Sequence, residues 1–347
     1  MMKDWSGMKY SEIKKLGEPI DVLIGYYNWQ KQDIHWGSFS HELCDATGHF
    51  NQVLKERTAT DPIAISDKTY KKPNLLRQWF YFARYIASLK RHDYPWKTHF
   101  PERLPKSGLT QAPSSRTVGF SIFSTEQTQA LLTYCRDQGV TMTSLMLWSI
   151  NKTVIDNLLT HSTDTIWGAP VNLRQQLTDD RYEANCVAGM TLPMPKDPSI
   201  QVVHQVLQQA LSDGRPWGGW MYSSVIKYIG LRIFRLLARR QKPVWIGICS
   251  SLGVWPPKNI QDPFESPTSM FFSPPATSFM PVSVGITTWE SKLCLALQLH
   301  PSIAFDKTTT QNTLNHWCDI LTQQLTNSDV KQQSTVSGLS ELTCPLS

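Results

Sequence analysis

Residues Asp33–Gly48 read DIHWGSFSHELCDATG. The first part alternates as a short strand, Ile34 to Phe39, that runs directly into His41. Asp45 follows four residues later, and the small residues Ala46, Thr47 and Gly48 come next. A strand that delivers an imidazole to its own end, with a carboxylate one turn on, can hold that ring rigidly beside a cleft. The small residues let the chain turn tightly and let another molecule approach closely. Spacing alone carries a plainer meaning, because a lone His at a strand end is most often a structural hydrogen-bonder.

Outward from this segment the chain alternates strands and helices. Asp21–Tyr27 and Ile34–Phe39 read as two strands joined by the polar turn Gln30–Asp33. A helical pattern follows Gly48, with Phe50, Val53 and Leu54 on one side, and Leu75–Leu89 is a second, aromatic-rich one. Four prolines between Tyr94 and Ser115 mark a linker. It divides an amino-terminal part, 1–110, from a carboxy-terminal part, 111–347. A strand over Thr117–Phe123 leads to Ser124, which with Gln127 forms a capping-box pattern for a helix over Glu126–Asp137. Thr143–Leu159 is the next helix. Thr165–Val171 and Ala184–Met194 read as strands, and Ile200–Leu211 as a helix.

Trp220–Arg240 reads as a basic amphipathic helix. It fits a membrane surface, although packing its apolar stripe on the core is the commoner use. Trp245–Leu252 is expected to be a buried strand ending at Gly253, followed by a Pro-rich loop from Pro256 to Pro275. Met280–Thr287 and Lys292–His300 alternate as a hairpin. A final helix, Thr308–Leu325, precedes a polar tail expected to be disordered. The mixed order predicts an α/β or α+β fold.

Composition narrows the function classes. The 347 residues include 13 Trp, 13 Phe and 11 Tyr, enough apolar surface for a sizeable core. No long apolar run suits a transmembrane span, and the start MMKDWSGMKYSEIKK lacks the apolar stretch of a signal peptide. Seven scattered cysteines without a C-x-x-C pair point to free thiols in a reducing compartment, so a cytoplasmic location is expected. The net charge of +6 concentrates in Lys97–Arg116 and Lys227–Lys242, without the interleaved aromatics of a nucleic-acid surface. Nucleic acid is therefore not expected as a partner.

Taken in order, SHELCDATG (Ser40–Gly48), GVTMTSLML (Gly139–Leu147), APVNLR (Ala169–Arg174), NCVAG (Asn185–Gly189), SSLG (Ser250–Gly253) and PVSVGITTWESKLCLALQLHP (Pro281–Pro301) resemble the CoA-dependent acyltransferases of the chloramphenicol acetyltransferase type. That superfamily includes condensation domains, plant alcohol acyltransferases and wax ester synthases. The resemblance spans roughly residues 20 to 325 and rests on the shared order of weak motifs. It implies two similar lobes around a central tunnel. It also implies an amino-terminal lobe shorter than in relatives, since only 40 residues precede His41. Under it, His41 is a general base and Asp45 a structural anion paired with Arg174. Asn185 lies near the tunnel wall, and Ser250 or Ser251 stands near the reacting carbonyl. No cofactor is bound; acyl-CoA is a co-substrate, joined by a small acceptor, with a carrier protein as an alternative donor. The chain departs from the pattern where Ser40 replaces a first His and Ala46 a Gly, and it has no DFGWG motif.

Two rival readings remain open at this point. His41, Asp45 and His49, spaced by four and joined by Cys44 and His35, resemble a metal ligand set on one helical face. Alternatively, the chain is a non-catalytic relative that only binds a partner.

Overall fold

The hairpin near the carboxyl end shows how the sequence separates its layers. The structure, a computed structural model, places strands β8 (Val282–Trp289) and β9 (Lys292–Leu299) antiparallel, turning at Glu290 and Ser291 with positive φ. Val282, Val284 and Ile286, with Leu293, Leu295 and Leu297, all point into one hydrophobic core. The alternate positions are small or polar: Ser283, Gly285 and Thr287, with Cys294, Ala296 and Gln298. On that side another backbone approaches so closely that a Cβ at Gly285 would collide with the Phe272 carbonyl oxygen.

The structure describes residues 13–14, 18–41, 43–58, 72–89, 92–98, 115–174, 185–225, 245–256, 264, 266–304, 306–325 and 336–343. Outside them fall most of the Pro-rich linker, residues 226–240 of the expected basic helix, much of the loop after Pro256, and parts of the polar tail.

The other strands are β1 (Asp21–Asn28), β2 (Asp33–Ser40), β3 (Ser115–Ile122), β4 (Thr165–Asn172), β5 (Val187–Met194), β6 (Gly247–Trp255), β7 (Thr268–Ser273) and β10 (Val336–Thr343). Seven form one mixed sheet in the order β10-β3-β9-β8-β6-β4-β5, in which β6 runs parallel to both β4 and β8. The remaining three form a small antiparallel sheet, β2-β1-β7. The mixed α/β architecture read from the element order is the one observed.

Helices α3 (Thr125–Asp137), α4 (Met142–Leu158), α5 (Ile200–Ser212) and α6 (Lys307–Gln323) contribute Leu131, Leu145, Ile150, Leu207 and Trp317 to the main core. Ser124 caps α3 in the expected box, and Thr141 and Ser199 cap α4 and α5. A second core lies between the large sheet and the layer made by the small sheet and α1 (Ala46–Thr58). There Phe50 packs edge-on against Trp255 at 5.0 Å, and Phe120 stacks on Phe271 at 5.7 Å. A third cluster joins Leu173, Ala188 and Trp217 beneath Tyr81 of α2 (Leu75–Ser88).

Three expectations need correction. The Pro-rich loop contains β7, whose six residues TSMFFS are all buried and pair with β1. The polar tail contains β10, which pairs with β3 at the end of the large sheet. The strand expected to end at Gly253 passes through it, at φ +78°, and after a register shift runs on to Trp255.

Candidate active site

Strand β2 ends at Ser40, and the Leu43 N–H donates back to the Ser40 carbonyl, so His41 sits on a turn between β2 and α1. Helix α1 begins at Ala46, which places Asp45 at its mouth. The Asp45 Oδ1 accepts the Gly48 N–H at 2.9 Å, satisfying one of the helix's orphan donors. The same oxygen accepts from Arg174 Nη2 at 2.6 Å, and Oδ2 accepts the Cys186 N–H at 2.9 Å. Asp45 is 2% exposed and Arg174 6%, so the pair lies out of solvent with three donors on the carboxylate.

Arg174 is itself held. Asn172, the last residue of β4, accepts with its Oδ1 both the Arg174 backbone N–H at 3.0 Å and Nη1 at 3.2 Å. The Leu173 N–H donates to the Cys186 carbonyl at 2.9 Å, extending the β4–β5 pairing to the residue beside Asn185. Asn172 and the Cys186 N–H are parts of this arrangement that the sequence reading did not single out. The short Asn-x-Arg spacing was the available signal for the first; a backbone donor leaves none.

Asn185 is buried and its Nδ2 donates to the His41 carbonyl oxygen at 3.1 Å; the same nitrogen lies 3.0 Å from His41 Nδ1. The half-buried imidazole is thus gripped through its own backbone and one ring nitrogen. The structure therefore joins His41, Asp45, Arg174 and Asn185 into one connected group, drawn from chain positions up to 144 residues apart.

Ser250 and Ser251 stand elsewhere, on β6 opposite Gly285 and Ile286. Ser250 is buried and Ser251 half-buried, and among the described residues no hydrogen bond ties either to His41.

Among the described residues the geometry does not assemble the metal-ligand set. Because α1 starts only at Ala46, His41 lies on the turn before the helix that carries His49, and the Asp45 carboxylate is engaged by Gly48, Arg174 and Cys186. The His49 ring stacks on Phe39 at 4.4 Å, and burial lowers its pKa. Cys44 is buried and His35 lies against Tyr26. Among the described residues no cluster of three or more His, Cys, Asp or Glu side chains could hold a metal ion.

No family model and no curated protein matches the sequence. Solved structures match in fold. The condensation domain of the Monacolin K polyketide synthase MokA superposes with a TM-score of 0.54 at 11% identity, covering 85% of this chain and 70% of that one. The epimerization domain from the third module of tyrocidine synthetase B gives 0.51 at 14%, covering 86% and 70%. The trichothecene 15-O-acetyltransferase from Fusarium sporotrichioides gives 0.52 at 12%, covering 84% and 66%. The chain thus spans about two thirds of the length of such proteins, and it has the fold of condensation domains and of this acetyltransferase.

Proposed function

We propose that this chain moves an acyl group from a thioester to a hydroxyl or amine, with His41 as the general base. The observation that carries the reading is the connected group around His41. A buried ion pair, Asp45–Arg174, fixes the turn that bears the ring, and Asn185 fixes the ring itself. Such a scaffold suits a base, which must be held within hydrogen-bond reach of one defined proton.

In the step proposed, a His41 ring nitrogen takes the acceptor's proton while the acceptor oxygen or nitrogen bonds to the thioester carbonyl carbon. The tetrahedral intermediate collapses with cleavage of the carbon–sulfur bond. The proton on His41 then passes to the departing thiolate, so the base is restored. Asp45 has a structural part, accepting three donors that hold the turn. Ser250 or Ser251 is the proposed hydroxyl donor to the oxyanion.

The tautomer matters. As placed, the Asn185 amide donates to Nδ1, which leaves the ring proton on Nε2. A base acting through Nε2 needs that proton on Nδ1, with Asn185 turned so that Oδ1 accepts it and its bond to the His41 carbonyl given up.

Acyl-CoA is the proposed donor. A carrier-protein thioester is the alternative, supported by the condensation and epimerization domains of synthetases among the similar structures. The test follows free thiol released from acyl-CoAs of graded length across alcohol and amine acceptors, in wild type and His41→Ala. A parallel series uses acylated carrier protein as donor. Turnover that disappears in His41→Ala is the expected result. Turnover that persists there, or a folded wild type inert with both donors, overturns the proposal and leaves a binding protein.

A further inference from the structure

Helix α2 exposes most of its large apolar side chains. Of its fourteen residues, LLRQWFYFARYIAS, only Gln78 and Tyr85 are buried. Leu76 is 81% exposed, Leu75 64%, Phe80 59%, Trp79 48% and Ile86 43%. At 100° per residue these five side chains, with Ala83 and Ala87, form one continuous apolar arc of about 140°. The buried residues Gln78 and Tyr85 lie on the opposite side, so the arc is not a core face turned outward by a frayed end.

Basic residues flank the arc. Arg77 and Arg84, both exposed, border the arc, and exposed Lys72 precedes the helix. Arg84 reaches over the Phe80 ring at 5.8 Å and stands 3.7 Å from Asp213. Between Asp67 and Asp93 the sequence holds seven Lys and Arg and no Asp or Glu. The inner side of α2 packs on the helical residues 215–225, where Tyr85 meets Tyr222 at 5.5 Å. That neighbour opens a second stretch free of carboxylates, from Gly214 to Gln261.

We propose that α2 docks this protein on an anionic lipid bilayer. Leu, Trp, Phe and Ile would enter the boundary between headgroups and acyl chains, while Arg77, Arg84 and Lys72 would meet the anionic headgroups. Fourteen residues lying in the surface plane suit this use, and no helix among the described residues is long and apolar enough to cross a membrane. A bilayer fits better than a folded protein partner because the arc is convex, apolar from end to end and without polar groups to pair. The proposal stands on this face alone and does not depend on the acyl-transfer reading.

Vesicle flotation tests it with the full chain. The vesicles are phosphatidylcholine, alone or with about a third phosphatidylglycerol. The wild type should float with the anionic vesicles and be released by salt. Leu76→Glu and Phe80→Glu, made separately, should each lower the bound fraction about tenfold or more, since each removes a large apolar group from the interface. Lys72→Gln with Arg77→Gln should weaken binding to anionic vesicles alone. Circular dichroism checks that each variant is folded, which the exposure of all four positions favours. A wild type that stays out of the vesicle fraction overturns the proposal, as does binding indifferent to both Glu substitutions. A dimer in sedimentation velocity that Leu76→Glu dissociates, without vesicle binding, assigns the face to a second copy instead.

Discussion

Asp45 takes donors from three parts of the chain: its own helix, the end of β4 and the entry to β5. Removing one partner leaves an uncompensated charge in a dry place. Arg174→Ala should therefore cost about 3–5 kcal/mol, read as a lower urea midpoint. Neutralising the survivor, in the double variant Arg174→Ala with Asp45→Asn, should recover part of that loss. Nitrogen-15 shifts of His41 report which ring nitrogen carries the proton. Proton at Nδ1, leaving Nε2 free, is expected of the base, and Asn185→Asp, which offers only acceptors, should keep it there; proton at Nε2 would count against a base acting through Nε2. These residues differed in legibility. His41 and Asp45 stand four apart, so spacing drew the eye to them, but their roles came from the resemblance to a family. Arg174 lies 129 residues from Asp45 and entered only through the resemblance to a family. The Cys186 N–H is backbone, and no side chain announces it.

At the scale of the element, local chemistry was readable and remote pairing was not. Ser124 and Gln127 cap α3 from within one turn, and Ser124→Ala should cost about 1 kcal/mol in thermal or urea melts. The β8–β9 hairpin likewise showed itself by alternation. β7 does not alternate, because it is covered on both faces, and the prolines at 267, 274 and 275 made it look like a loop. β10 is short of β-branched residues and is made a strand by β3 beside it. Gly285→Ala should cost about 2–4 kcal/mol, since the new methyl group would push β8 off the backbone of β7. At the end of β9, desolvation lowers the His300 pKa to about 4. A depressed folded value means the unfolded chain takes up the proton first. Stability contributed by the neutral ring is complete above pH 6.5 and falls away as pH drops toward 4. The loss is at most about 3 kcal/mol. Glu18, 4.0 Å away, is itself pushed toward its neutral acid by burial and so offers the protonated ring little compensation in this range. His300→Gln should flatten this part of the acid denaturation profile.

For the whole molecule, the sequence announced layers without their order. Nothing local tells β6 to lie parallel between β4 and β8, because that choice depends on crossovers through distant helices. The interior is nevertheless chemically quiet. Cys135, Cys249, Cys294 and Cys318 are free thiols whose pKa burial raises, to about 11 for the first and about 12 for the others. At pH 8 these four should resist alkylation in the native protein and react on unfolding, as peptide mass spectrometry would show.

The pairing of Leu23 with Ser273 also sets a clock. During translation, β1 leaves the ribosome roughly 245 residues ahead of β7, which at typical synthesis rates is roughly ten to fifty seconds. Through that interval β1 offers an unmated edge, with Val22 and Ile24 beside it, to any other nascent strand. The turn that carries His41 hangs from this waiting hairpin. Yield in a cell should therefore respond to holdase chaperones and slower growth temperatures more than to changes in the late helices, whose partners are already made when they emerge.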